Sequence, residues 1–282
     1  MNLYISDLDG TLLNSEGKLS EYTIETINEM IDEGLDFTIA TARGFDSVKS
    51  ILEPLNLKYP VILNNGLFIY DLKKDQVIKE YKIDLSTANK LIEDLSSYGV
   101  YPMVSTKADN EYKVYYSGIQ NHGEKEFIKF HGQSSALKFI EVESIDLTKE
   151  KVLSMFSIGT KEDLEEVTDY LSEKYDLEIN LFYDIYSKYY WLEINPLNAS
   201  KGDAALYLKK EYGFKQLITF GDNLNDVSMF KISDESYAMA SGNVVVKPEA
   251  TDIIGTNDEH SVAKYIRNRR SKKYKHKKEE IS

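Results

Sequence analysis

The segment Asn2-Leu3-Tyr4-Ile5-Ser6 is apolar enough to form a strand and runs straight into Asp7-Leu8-Asp9-Gly10-Thr11-Leu12-Leu13. Side chains two residues apart on an extended chain project to the same side, so Asp7 and Asp9 bring two carboxylates together where the strand ends. Gly10 and Thr11 follow, where a turn can carry the backbone close to an anion. Two neighbouring carboxylates are costly unless a cation neutralises them, so the spacing predicts a metal at the carboxyl end of a strand. Open parallel sheets place their ligands there.

The rest of the chain alternates between strand and helix patterns, the signature of an α/β fold with a parallel sheet. Residues 20–33 read as a helix capped by Ser20, with Ile24, Ile27 and Ile31 at helical spacing and Gly34 as its stop. A strand over 35–40, a helix over 45–52 and a strand over 61–63 follow, the last ending at Asn64-Asn65-Gly66. Residues 67–81 read as a hairpin turning at 71–75, and 86–98 as an amphipathic helix. The pattern then changes to strands and helices rich in Tyr, Phe and Lys, including a helix over 161–175. This predicts an inserted domain over 83–190 between core segments 1–82 and 191–282. The core pattern resumes at Trp191-Leu192-Glu193-Ile194, with a helix over 201–212 and strands over 217–220 and 237–240. A length of 282 residues fits two domains.

Three further segments carry chemistry. The strand over 38–40 ends in Thr41-Ala42-Arg43-Gly44, where a hydroxyl and a backbone amide supply neutral donors. Lys201 opens the helix over 201–212, where a cation opposes the helix dipole; attraction to clustered carboxylates would hold it there more strongly. Gly221-Asp222-Asn223-Leu224-Asn225-Asp226 follows the strand over 217–220. The acidic set is all-oxygen and hard, which selects Mg²⁺. An Asp is also a competent nucleophile toward phosphorus, and a second carboxyl can move the proton.

In this order, these four segments resemble the motifs of the haloacid dehalogenase-like phosphohydrolases. The insertion between Thr41 and Lys201, Asn64-Asn65-Gly66, and the segments Lys247-Pro248-Glu249-Ala250-Thr251-Asp252 and Thr256-Asn257-Asp258-Glu259 resemble the Cof-like branch with its type IIB cap. The resemblance implies a Rossmann-like doubly wound parallel sheet core with an inserted α+β cap domain. It implies a Mg²⁺-dependent phosphomonoester hydrolase working on small phosphorylated metabolites through an aspartyl-phosphate. Asp7 corresponds to the nucleophile and Asp9 to the acid and base. Leu8, Thr41, Ala42, Lys201 and Asn225 correspond to the phosphate-binding set, with Thr41 and Lys201 also assisting catalysis. The metal set is Asp7, Asp9 through its main-chain carbonyl, Asp222 and Asp226. Ala42 stands where the family often has Gly, while Leu67 and His260-Ser261 depart near the pocket rim and a helix start. A phosphotransferase or phosphomutase uses the same intermediate, and a non-catalytic phosphate sensor could share the fold. The physiological substrate is not readable, although such enzymes often act on sugar phosphates, flavin mononucleotide or pyridoxal phosphate.

Composition narrows the partners. A net charge of −13 opposes nucleic-acid binding. The basic end from Arg267 to Lys278 is the exception, and reads first as the solvated end of a helix. The absence of cysteine removes disulfides and thiolate chemistry. No apolar run is long enough for a bilayer and no secretory signal is evident, so a cytoplasmic protein without membrane partners is expected. A monomer acting on a small-molecule phosphate ester is the default. Of the inserted segment's aromatics, Tyr112, Tyr115, Tyr116, Phe182 and Tyr183 are expected mostly to fill a small core. His122 and His131 read as surface residues.

Overall fold

The computed structural model describes residues 1–108, 111–132, 137–184 and 187–279, with the backbone alone at 46, 137 and 272–279. β1 (Asn2–Ser6) enters a tight turn over 8–12 and leads to α1 (Glu21–Asp32). The Ser20 hydroxyl caps this helix by accepting from the Thr23 amide at 3.1 Å, and Gly34 ends it at φ 87°. β2 (Asp36–Ile39), α2 (Phe45–Leu52) and β3 (Val61–Leu63) follow, then the hairpin β4 (Phe68–Asp71) and β5 (Gln76–Glu80). β3, β4 and β5 form a small antiparallel sheet, and a parallel bridge from Ile62 to Ala40 joins it to the end of β2.

The inserted segment comprises α3 (Leu85–Ser97), β6 (Met103–Ala108), β7 (Glu111–Tyr116), α4 (His122–His131), β8 (Leu137–Glu141), β9 (Lys151–Gly159), α5 (Lys161–Lys174), β10 (Glu178–Asp184) and β11 (Tyr189–Asn195). Its strands make a six-stranded sheet in the order β10-β11-β9-β6-β7-β8. Leu91 and Leu95 of α3 and Leu164, Val167 and Leu171 of α5 bury the apolar residues Val104, Met155, Leu192 and Ile194 on one face of that sheet.

The chain then returns through α6 (Lys201–Glu211), β12 (Gln216–Gly221), α7 (Val227–Ile232), β13 (Glu235–Met239), β14 (Asp252–Ile254) and α8 (Ser261–Glu279). The five strands β14-β13-β12-β1-β2 pair entirely in parallel. β1 and β12 lie at the centre and are buried almost throughout, which explains their near-continuous apolar character. The mixed α/β architecture with a parallel core is therefore present.

The chain forms two compact units, one from 1–80 with 200–282 and the other from 81–199. This moves the expected boundaries, most of all at 191. Trp191-Leu192-Glu193-Ile194 does not resume the core, because β11 pairs with β9 and β10 and sends Leu192 and Ile194 into the second unit's core.

Tyr116 packs with Met103 and Val114, as expected of a core aromatic, whereas Tyr183 is 49% exposed. His122 and His131 are exposed, the latter against the Phe127 ring. At the basic end, Arg267 pairs with Glu29, Arg269 with Glu235, and Arg270 donates to the Glu33 carbonyl. These three cations tie α8 to the core, while the side chains of Lys272 to Lys278 lie outside the described residues. Among the described residues no helix is long and apolar enough to cross a membrane.

Candidate active site

Parallel pairing aligns the carboxyl ends of neighbouring strands, and this gathers the site. Ser6 of β1 is level with Phe220 of β12 and Ile39 of β2. The residues just beyond them, Asp7, Asp222 and Thr41, therefore share one rim. The Asp7 amide donates to the Phe220 carbonyl at 3.0 Å, which seats Asp7 beside the end of β12.

Lys201 is the first residue of α6, whose amino end is capped by the Ser200 hydroxyl accepting from the Asp203 amide at 3.1 Å. Its ammonium donates to Asp7 Oδ1 at 2.6 Å and to Asp226 Oδ1 at 2.7 Å. The lysine is 1% exposed. A buried charge at a helix start is tolerable only with such partners. Asp226 Oδ2 accepts from the amides of Asp222 and Asn223 at 2.9 and 3.0 Å, which folds the 222–226 loop around it. Asp222 Oδ1 accepts from the Thr11 hydroxyl at 2.8 Å. Gly10, at φ 76°, is needed for that approach: a Cβ there would stand 2.5 Å from Asp222 Oδ2.

One carboxylate oxygen from each of Asp7, Asp222 and Asp226 lies within 4.8 Å of the other two. Burial, the charge of Asp226 and that of Asp222 together raise the Asp7 carboxyl well above the carboxylate range, although Lys201 opposes them. Burial and Asp226 push Asp222 up to about 6, against the Thr11 bond. Burial disfavours the charge on Lys201, but Asp226 and Asp7 outweigh it and raise its pKa. One ammonium thus faces three carboxylates, which is too little positive charge for full ionisation. A hard divalent cation among all-oxygen donors supplies the balance, so the residues fit Mg²⁺.

Asp9 goes elsewhere. Its side chain is 52% exposed and forms a two-pronged pair with Arg43, through Nε at 2.7 Å and a terminal nitrogen at 2.6 Å. Thr41 is fully buried and its hydroxyl accepts from the Arg43 amide at 3.1 Å. Ala42 is exposed and Leu8 buried. The Asn225 amide donates to Asn65 Oδ1 at 2.9 Å. The sequence did not disclose the bond of the Thr11 hydroxyl to Asp222, of Arg43 to Asp9 or of Asn65 to Asn225, although each residue lies inside or beside a motif quoted above.

A family model described as haloacid dehalogenase-like hydrolase matches residues 4–266. The chain belongs to this family. Among similar proteins, a 5-amino-6-(5-phospho-D-ribitylamino)uracil phosphatase of Bacillus subtilis is 25% identical, over 93% of this chain and 94% of its own. A pyridoxal phosphate phosphatase of Escherichia coli is 25% identical, over 92% and 95%. A solved haloacid dehalogenase-like hydrolase from Bacillus subtilis superposes with a TM-score of 0.73 at 25% identity, covering 93% of this chain and 98% of that one. The protein is accordingly a phosphatase of the haloacid dehalogenase-like family.

Proposed function

We propose that this phosphatase hydrolyses small phosphomonoesters, sugar phosphates or esters of similar size, with Mg²⁺ and through an aspartyl-phosphate on Asp7. The observation that carries the reading is the buried Lys201 bridging Asp7 and Asp226, with Asp222 beside them. A nucleophilic carboxylate must be ionised, and burial opposes ionisation of Asp7. Lys201 favours it, and bound Mg²⁺, held by Asp7, the Asp9 carbonyl and Asp222 with Asp226 orienting a metal-bound water, would add the remaining positive charge at the phosphoryl oxygens.

An Asp7 oxygen attacks phosphorus as the bond to the ester oxygen breaks, and Asp9 gives its proton to the departing alkoxide. Asp9 then takes a proton from the water that attacks the aspartyl-phosphate, freeing phosphate and restoring Asp7. Its exposure at the rim suits exchange of protons with leaving group and water. The paired Arg43 holds the carboxyl clear of the buried cluster. Thr41, the amides of Leu8 and Ala42, Lys201 and Asn225 stabilise charge on the transferred group.

Phosphate release from a panel of phosphorylated metabolites, with Mg²⁺ or with chelator, tests this. Asp7→Asn should lose roughly a thousandfold or more in kcat. Retention of more than a few per cent of activity by that variant excludes Asp7 as nucleophile. Transfer to a sugar acceptor without free phosphate would mark a transferase.

A further inference from the structure

The turn over 64–66 has an uncommon backbone. Asn64 (φ 48°), Asn65 (φ 55°) and Gly66 (φ 104°) lie consecutively in the left-handed region, which L residues other than Asn and Asp adopt reluctantly. Such a run persists only where its surroundings over-determine it. Those surroundings are the site's own segments. The Asn64 amide donates to the Arg43 carbonyl and the Asn65 amide to the Thr41 carbonyl, both at 3.0 Å. A Cβ on Gly66 would overlap the Ser200 carbonyl, so the turn lies against the start of the helix that Lys201 opens.

The side chain of Asn65 reaches the fourth segment. Its Oδ1 accepts from Asn225 Nδ2 at 2.9 Å. The Asn225 Oδ1 is buried with no partner, so this is the one hydrogen bond its side-chain amide makes among the described residues. A primary amide has two N–H groups. An acceptor that takes one of them fixes which end of the amide faces which way, and the second N–H is left to offer.

We propose that Asn65 is a positioning residue for the phosphoryl group: through Asn225 it aims a donor at a phosphoryl oxygen, and through its backbone it sets the height of Thr41. The left-handed conformation lets one residue do both, because it turns the amide back to Thr41 while the side chain crosses to Asn225. The proposal rests on the phosphatase reading above.

Asn65→Gly separates the two tasks, since glycine keeps the left-handed backbone without strain and removes only the side chain. The probes are calorimetric binding of inorganic phosphate to the Mg²⁺-loaded protein and steady-state hydrolysis of p-nitrophenyl phosphate. Asn65→Gly should weaken phosphate binding and lower kcat/KM by about tenfold each, with a melting temperature close to wild type. In an Asn225→Ala background the same change should add less than about twofold, because the acceptor then has nothing to aim. Wild-type phosphate affinity in Asn65→Gly, or losses that multiply in the double variant, overturns the proposal. If wild type releases no phosphate from any ester, the hydrolytic reading falls by itself, and the phosphate titration still decides the role of Asn65.

Discussion

Two carboxylates of the inserted unit, Glu150 and Asp94, and two of the core, Asp7 and Asp222, are all withdrawn from water, and they respond oppositely. In the inserted unit, Glu150 accepts from Thr106, Lys113 and Tyr115, and Asp94 from Lys174 and Tyr175. Burial works to raise both, but these bonds prevail and hold both below the ordinary carboxylate range. In the core, burial and like charge prevail instead, and Asp7 and Asp222 are raised. The first kind of carboxylate is complete as it stands and serves to hold strands and helices together. The second is short of positive charge, which is the condition of a site that works with a cation and an anion still to come. Burial alone does not distinguish them; the ratio of donors to acceptors does.

The contrast can be broken most sharply at the two lysines. Lys201→Met leaves Asp7 and Asp226 buried without their cation and should cost about 3 kcal/mol or more of stability, along with activity. Lys113→Met leaves Glu150 its two hydroxyl donors, Thr106 and Tyr115, and should cost distinctly less than Lys201→Met, with hydrolysis unchanged. Urea denaturation of both variants measures the difference, and equal losses would erase the distinction.

A smaller effect should differ in sign. Asp222 in the folded chelated protein has a pKa of about 6, above its unfolded value of 3.8. Its ionisation therefore costs stability that is absent below about pH 4 and fully felt above pH 6. Asp222→Asn should raise the melting temperature of the chelated protein at pH 8, and the gain should fade as the pH falls toward 4. Asp94 is held below 3.8, so its contribution is present above that value and lost only as the pH falls through its folded pKa. Asp94→Asn should lower the melting temperature at pH 8, and that loss should shrink at low pH. Melting curves across this range would show two differences of opposite sign; matching signs would contradict the assignment.

Much of the site was readable because it is written in short local segments. Asp7, Lys201, Asp222 and Asp226 each follow a strand or open a helix, and aligned parallel strands bring such positions to one rim. What was not readable depended on partners distant in sequence. Trp191-Leu192-Glu193-Ile194 announces a strand by composition, but nothing local says which sheet it joins, and it joins that of the inserted unit. Asp9 and Asp7 look equivalent two residues apart, yet Arg43 draws one outward while Lys201 keeps the other buried. Asn65 could have been suspected from the Asn-Asn-Gly run, whose residues favour left-handed backbone, but its partner Asn225 is 160 positions away.

The core carboxylates Asp7, Asp222 and Asp226 are short of positive charge that bound Mg²⁺ would supply. Calorimetric titration of Mg²⁺ into the chelator-stripped protein at pH 6, in two buffers of different ionisation heat, tests it most directly. Binding should release protons as Asp7 and Asp222 ionise, and Asp222→Asn should weaken the binding and reduce the proton count. No binding, or binding that releases no protons and survives Asp222→Asn unchanged, would contradict the account.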